Sequence, residues 1–297
     1  NRFVSGAVAL AGRWKLSPLL IGMVVVGFGT SAPELLVSSI ASWQGASGIA
    51  LGNIVGSNML NISLILGLAV LFSPIAVQPS VNRVQLPLLL IVSGGLLLLG
   101  WDGVLDRIDS SALLSLFLVW AVMSIRASRA SYDPLLEPEA TLDREEPHPL
   151  RSALFGLLFL LVSSRLLVWG AVEMARSFGI SELVIGLTIV GLGTSLPELA
   201  SALVSARRGQ SELVLGNIVG SNLFNLMAVG GVAGLLRPLA IGDELLLRDL
   251  PVSIGITVLL MLFAAGKAWK GELHRWEGGV LLAVYVLYTT WLLVGST

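Results

Sequence analysis

The stretch from Gly27 to Asn61 recurs from Gly191 to Asn225 without insertion or deletion, and each copy sets a glutamate inside a long apolar run. Apolar runs of about 20 residues recur along the whole chain, each long enough to cross a roughly 30 Å hydrocarbon core as a helix. Lipid offers the backbone no hydrogen bonds, so such a chain folds either as helices or as a closed barrel. Barrel strands alternate apolar and polar residues over about 10 positions, and the sequence shows no such alternation. Only 12% of the 297 residues are charged and 55% are hydrophobic, whereas a soluble domain has roughly 25% charged residues. The sequence therefore predicts an all-α integral membrane protein.

The apolar segments fall near residues 1–16, 17–41, 48–72, 84–101 and 109–126, then near 151–177, 181–206, 211–236, 246–266 and 276–295. They divide the chain into a first half, 1–126, and a second, 151–297, joined at 127–150 by a linker rich in Asp, Glu and Pro. Such a linker has too little apolar surface to pack. By the repeat offset Asn1 answers to Arg165, inside an apolar segment, so the first segment reads as the latter part of a helix. About ten transmembrane helices follow, and an odd number per half sends the second half into the membrane from the opposite side, giving two inverted-topology repeats. Lys and Arg concentrate in the loops of one side, among them Arg83, Arg126, Arg151, Arg207, Arg208, Lys267 and Lys270, while the other side carries Arg2, Arg107, Arg176, Arg237 and Arg248. The positive-inside rule makes the first side cytoplasmic, with the acidic linker inside and both termini outside a plasma or inner membrane.

The two copies run at a constant offset of 164 residues, Thr30 answering to Thr194 and Asn61 to Asn225. About half the positions of Ser17–Gly67 and Ser181–Gly231 are identical, and the identities collect on Gly, Ser, Thr, Asn, Pro and Glu while apolar positions drift among Leu, Ile and Val. A repeat kept for packing alone would preserve hydrophobicity; this one has kept the groups hydrocarbon penalises most. The first copy reads GFGTSAPE (Gly27 to Glu34) and GNIVGSNMLN (Gly52 to Asn61), the second GLGTSLPE (Gly191 to Glu198) and GNIVGSNLFN (Gly216 to Asn225).

Glu34 and Glu198 are the central carboxylates of the apolar segments, and the Asp residues read as lying in loops or the linker. Two buried carboxylates that converge repel unless a cation lies between them, and a divalent ion cancels both charges. The competing reading makes each Glu a hydrogen-bonding group that joins helices. Pro33 and Pro197 remove a backbone bond and displace the carbonyls of Gly29 and Gly193. With the Gly-x-Gly-Thr-Ser run upstream, the carbonyls of Gly27, Thr30, Gly191 and Thr194 are placed to face an ion beside the glutamates. Tight packing through small residues is the alternative explanation of the glycines. Ser57 and Asn61, like Ser221 and Asn225, are four residues apart and share one helix face. Asn58 and Asn222 turn away by about 100° and fit helix caps or cross-helix bonds. A set of carboxylates, carbonyls and hydroxyls suits hard cations such as Ca²⁺ and Na⁺. With no Cys, and with His148 and His274 outside the apolar segments, zinc or copper would lack its preferred ligands.

Other chemistries fall away. GFGTSAPE lacks the Gly-Lys-Ser/Thr of a phosphate loop. Ser31 and Ser195 have no His or Lys at membrane depth to serve as base, so no intramembrane hydrolase, and no enzyme, is expected. A net charge of −1 gives no reason to expect nucleic acid as a partner.

At these motifs the chain resembles the cation/calcium exchanger superfamily, and in particular prokaryotic sodium/calcium exchangers, whose two inverted repeats carry G-T-S-x-P-E and G-N-x-x-G-S-N signatures. The resemblance spans both repeats. It implies that Glu34 and Glu198 bridge Ca²⁺ and also serve Na⁺, that Thr30 and Thr194 add carbonyls, and that Ser31, Ser57, Ser195 and Ser221 with the carbonyls of Gly27 and Gly191 are sodium ligands. Asn61 and Asn225 match the polar positions flanking the central site. Some relatives have Asp at one of those two positions, so this chain brings only two carboxylates to the cavity. Two charges balance one Ca²⁺; several Na⁺ ions would leave an excess.

The expectation is an antiporter that exchanges Ca²⁺ for Na⁺ by alternating access, with those ions and the lipid bilayer as partners and no cofactor. The helix at 1–16 and its counterpart at 151–177 would tilt to open one face at a time. A proton/calcium exchanger on the same scaffold is the nearest alternative. A cation channel is the alternative of another class, against which inverted repeats argue.

Overall fold

The computed structural model describes residues 6, 9, 17–130, 148–177, 181–265 and 271–295. The segment 1–16, apart from Gly6 and Ala9, and most of the linker lie outside the described residues. Two bent pairs, α1 (Ile21–Thr30) with α2 (Ala32–Trp43) and α7 (Leu183–Thr194) with α8 (Leu196–Arg207), each turn by 46°. The long helices are α3 (Ser47–Phe72), α4 (Val81–Asp102), α5 (Arg107–Ala127), α9 (Ser211–Leu236), α10 (Leu245–Ala264) and α11 (Arg275–Val294). Between the two sets runs α6 (Pro149–Ser177). Among the described residues six helices are long and apolar enough to cross a membrane, and eight if each bent pair counts as one span. The helix containing α5 continues to Ala130, into what the composition reads as linker, and α6 begins at Pro149.

α3 and α9 form the centre: 83% and 89% of their apolar windows are buried, against 17% for α5 and 28% for α11. The outer helices turn Leu118, Val119, Met123, Val286, Leu287 and Val294 outward, as helices facing lipid rather than water do. Trp43, Trp101 and Trp276 are exposed at helix ends, where interfacial aromatics belong.

The centre is tight because glycines stand where helices from different halves cross. Gly52 of α3 faces Gly186 of α7, and Gly216 of α9 faces Gly22 of α1. Wide helical turns lie in repeat-related places, at Ile21–Val26 and Gly186–Val190, Asn61–Leu66 and Phe224–Val229, and Val81–Gln85 and Leu245–Asp249. Such turns insert a residue into the helical ladder and commonly accompany functional sites.

Outside the helices the all-α expectation needs one addition. Strand β1 (Ile75–Ala76) pairs antiparallel with β4 (Glu272–Leu273), and β2 (Val104–Leu105) with β3 (Leu239–Ala240). Each pair clasps a loop of one half to a loop of the other. Ser211 Oγ accepts from Ala76 N at 3.3 Å and Ser47 Oγ from Ala240 N at 3.2 Å, so each clasp is also tied to the start of a central helix.

Another expectation fails at Asp249, which lies in a helix and is fully buried. Its charge is tolerated because Arg248 Nε donates at 2.6 Å, Arg248 Nη2 at 3.2 Å and Tyr288 Oη at 2.7 Å. At the corresponding place in the first half, Trp120 Nε1 donates to Gln85 Oε1 at 3.0 Å. The same helix-to-helix bond is thus charged in one half and neutral in the other. Tyr288→Phe should lower the melting temperature of the detergent-solubilised protein, since a hydrogen bond to a charged group is worth about 1.5–3 kcal/mol; an unchanged melting curve would show that Arg248 alone satisfies Asp249.

Candidate cation site

Both bends fall at the serine of the Gly-Thr-Ser run. Ser31 and Ser195 have backbone angles of φ −85°, ψ 9° and φ −86°, ψ 8°, outside the helical region, and α2 and α8 restart immediately after them. Pro33 and Pro197 sit in the first turn of those second helices, where a missing N–H costs nothing. The prolines therefore start a helix rather than kink one from within, which corrects the expectation of a proline inside a continuous span. Each glutamate follows its proline, in the first turn of α2 or α8, where a helix N-terminus favours negative charge.

The glutamates are engaged across the halves. Ser31 Oγ donates to Glu198 Oε1 at 2.8 Å and Ser195 Oγ to Glu34 Oε1 at 2.9 Å. Ser221 Oγ lies 3.4 Å from Glu198 Oε1 and 3.3 Å from the Gly27 carbonyl, so it reaches both proposed ligands. Ser57 Oγ lies 3.5 Å from Thr194 Oγ1. The Thr30 hydroxyl lies 3.3 Å from the Gly27 carbonyl and that of Thr194 3.3 Å from the Gly191 carbonyl. Asn61 Nδ2 donates to Asn222 Oδ1 at 2.9 Å. Asn225 is fully buried and makes no side-chain hydrogen bond. Glu34, Glu198, Ser31, Ser57, Ser195, Ser221 and Thr30 have no solvent exposure, and Thr194 has 1%.

Asn58 and Asn222 exchange reciprocal bonds, Asn58 Nδ2 to the Asn222 carbonyl at 3.1 Å and Asn222 Nδ2 to the Asn58 carbonyl at 3.3 Å. They join α3 directly to α9.

What remains unpaired is informative. Buried polar atoms are nearly always hydrogen-bonded, yet Glu34 Oε2, Glu198 Oε2, Asn58 Oδ1, Asn61 Oδ1 and Asn225 Oδ1 have no partner. These five oxygens belong to the two duplicated motifs; among the described residues Asn225 Nδ2, in the same motif, and Gln210 Oε1, outside the motifs, are the other buried side-chain atoms without a partner. Among the described residues no group of three or more His, Cys, Asp or Glu side chains comes together. The donor set is two carboxylates amid amide, hydroxyl and carbonyl oxygens, which suits a hard cation rather than zinc or copper.

Two residues absent from the sequence-level candidates also belong here. Asn53 Nδ2 donates to the Glu34 carbonyl at 3.3 Å and to Ser38 Oγ at 2.9 Å, while Asn53 Oδ1 accepts from Thr194 Oγ1 at 3.0 Å. Asn217 Nδ2 donates to the Glu198 carbonyl at 3.3 Å, and its Oδ1 accepts from Thr30 Oγ1 at 3.2 Å. The signal was present: Asn53, Ser57 and Asn61 are spaced by four, on one helix face, and so are Asn217, Ser221 and Asn225.

Known proteins share this arrangement of chain. The profile of the family described as "Sodium/calcium exchanger protein" matches residues 1–126 and 150–294. The inner membrane protein YrbG of Escherichia coli strain K12 is 38% identical over 293 residues, covering 95% of this chain and 88% of that one. The sodium/calcium exchanger MaX1 of Methanosarcina acetivorans is 28% identical over 96% of this chain and 92% of its own length. Among solved structures, the sodium-calcium exchanger NCX_Mj soaked with 2.5 mM Na⁺ and 0.1 mM Ca²⁺ superposes with a TM-score of 0.80 at 33% identity, over 97% of this chain and 92% of that one. The channel alternative finds no support in these relatives. The protein is a multi-pass membrane transporter, and the chain belongs to the sodium/calcium exchanger family.

Proposed function

We propose that this protein is a secondary antiporter that exchanges Ca²⁺ for Na⁺ across a plasma or inner membrane at the Glu34/Glu198 site. One observation carries the reading: each glutamate has one carboxylate oxygen held by a serine of the opposite half and the other buried without a partner. Two such oxygens offer a divalent ion the charge that balances it, and the flanking amide oxygens add neutral coordination. Thr30 and Thr194 contribute carbonyls beside that ion. Ser31, Ser57, Ser195 and Ser221, with the Gly27 and Gly191 carbonyls, hold Na⁺, and Asn61 and Asn225 flank the centre. Because the glutamates serve both ions, the site holds Ca²⁺ or Na⁺ in turn, and that exclusion couples the fluxes.

The alternation follows from about ten helices in two inverted repeats, 1–126 and 151–297, whose shared site lies near the membrane midplane. The segment at 1–16 and α6 tilt against the central helices to open the site to one face and then the other. The acidic linker lies in the cytoplasm and both termini outside. No cofactor takes part.

Proteoliposomes test this directly. Vesicles loaded with Na⁺ should take up radiolabelled Ca²⁺, and vesicles loaded with choline under an imposed pH gradient should not. Uptake that follows the pH gradient and ignores Na⁺ would make the counter-ion a proton. Uptake with no trans ion at all would mean a channel.

A further inference from the structure

Asn53 and Asn217 stand outside the set of groups proposed to touch the ions, yet each joins three helices. Asn53 of α3 reaches Glu34 on α2 and Thr194 on α7; Asn217 of α9 reaches Glu198 on α8 and Thr30 on α1. Their orientation follows from chemistry. The glutamate carbonyl only accepts, so the amide nitrogen faces it, and the amide oxygen faces the threonine hydroxyl.

That hydroxyl has a choice to make, because it carries a single proton. Thr194 Oγ1 lies 3.0 Å from the Val190 carbonyl, 3.3 Å from the Gly191 carbonyl and 3.0 Å from Asn53 Oδ1. Thr30 Oγ1 lies 2.9 Å from the Val26 carbonyl, 3.3 Å from the Gly27 carbonyl and 3.2 Å from Asn217 Oδ1. In both halves one acceptor is a carbonyl proposed to bind Na⁺, and another is an asparagine attached to the backbone of the opposite half's glutamate.

We propose that Asn53 and Asn217 are positioning residues that couple the two halves of the ion site, an inference that rests on the exchange reading above. When Na⁺ draws on the Gly191 carbonyl, the Thr194 proton turns to Asn53 Oδ1, and the strengthened bond holds the Glu34 carbonyl through Asn53 Nδ2. Asn217 does the same between Gly27, Thr30 and Glu198. Occupancy on one side thereby fixes the glutamate supplied by the other. The two couplers are unequal: Ser38 accepts a second amide hydrogen of Asn53, and Ala202 stands at the corresponding place beside Asn217.

The test is Na⁺ displacement of radiolabelled Ca²⁺ from the purified, detergent-solubilised protein, read as the Na⁺ concentration that displaces half. Thr194→Val removes the proton and keeps the backbone carbonyl; Thr194→Ser restores the proton. Thr194→Val and Asn53→Ala should each raise the half-displacing Na⁺ between about twofold and tenfold, the range one buried neutral hydrogen bond spans. The double variant should do no worse than either single one, and Thr194→Ser should recover the Na⁺ dependence that Thr194→Val loses. Additive effects, or an unchanged Na⁺ dependence in Thr194→Val with Ca²⁺ still bound, would overturn the coupling while leaving the exchange reading intact. Should Asn53→Ala not fold, the Val and Ser variants decide alone. If the unsubstituted protein binds Ca²⁺ that Na⁺ does not displace, the exchange reading fails and the coupling falls with it.

Discussion

Glu198→Gln is expected to reduce Na⁺-driven Ca²⁺ uptake by about tenfold to a hundredfold, and Glu34→Gln to do the same, because a contact to a charged group is worth about 1.5–3 kcal/mol and every factor of ten is about 1.4 kcal/mol. Glutamine matches glutamate in shape, so the substituted protein retains its packing. What it loses is the charge and one acceptor. Ser31 Oγ at 2.8 Å and Ser221 Oγ at 3.4 Å both address Glu198 Oε1. An amide oxygen placed there keeps the serines satisfied but turns an NH₂ group toward the space that the unpartnered Oε2 now faces. A hydrogen-bond donor in that position repels a cation. The reverse placement sets the NH₂ against two hydroxyls, which must then accept rather than donate and turn their own protons elsewhere. Either way one negative charge is left against a divalent ion in a site with no solvent exposure, where charge is least screened. Glu34 has a single serine, Ser195, at 2.9 Å, and the same argument applies. Uptake measured per reconstituted protein, beside a melting curve showing an intact fold, decides the matter. Uptake comparable with the unsubstituted protein in either variant would remove the glutamates from the ion site.

Much of the architecture was legible because hydrocarbon is an unforgiving solvent. The central segments read from hydropathy at 48–72 and 211–236 coincide with α3 and α9 to within a residue. The repeat offset likewise anticipated that α1 with α2 would have a counterpart in α7 with α8. The bends within those spans were not placed correctly. Proline marks a discontinuity, but only the backbone angles show the break to fall two residues earlier, at Ser31 and Ser195. The partners of the serines were not legible either. Nothing in a linear motif says that Ser31 serves Glu198 rather than Glu34, three residues away in sequence; that follows from how the halves pack face to face. Asn53 and Asn217 share the face of Ser57 and Ser221, but their part in the site rests on cross-helix bonds to the Glu34 and Glu198 carbonyls, which a linear motif does not display. The burial of Asp249 is not legible locally, since its partner Tyr288 is 39 residues away. The clasps β1–β4 and β2–β3 are two residues per strand, too short to produce an alternation visible in sequence.

Gly56→Val and Gly220→Val are expected to leave little folded protein. A Cβ at Gly56 would lie 2.5 Å from the Leu187 carbonyl oxygen and 2.6 Å from its Cα, and one at Gly220 would lie 2.5 Å from the Met23 Cα and 2.6 Å from its carbonyl oxygen. The atoms in the way are backbone, so no rotamer change relieves the clash. Overpacking a well-filled interior costs about 1–3 kcal/mol when side chains can yield, and here whole helices must separate. The separation would fall where function is most exposed to it, because α3 of one half rests on α7 of the other at Gly56 and α9 rests on α1 at Gly220. One residue beyond each contact are Ser57 and Ser221, whose backbone nitrogens approach the Cβ positions of Gly191 and Gly27 at 3.3 Å and 3.2 Å. Close approach of the backbones and assembly of the ion site are therefore a single event. Gly255 is the contrasting case, a helical glycine in α10 with nothing within 4 Å of its Cβ position. Gly255→Ala should stabilise the protein by about 0.5–1 kcal/mol through helix propensity. Size-exclusion profiles and melting curves of the three variants in detergent make the comparison. A monodisperse Gly56→Val or Gly220→Val protein that melts with the unsubstituted one would mean that the helices do not cross this closely, and the cross-half bonds to Glu34 and Glu198 would lose their structural basis.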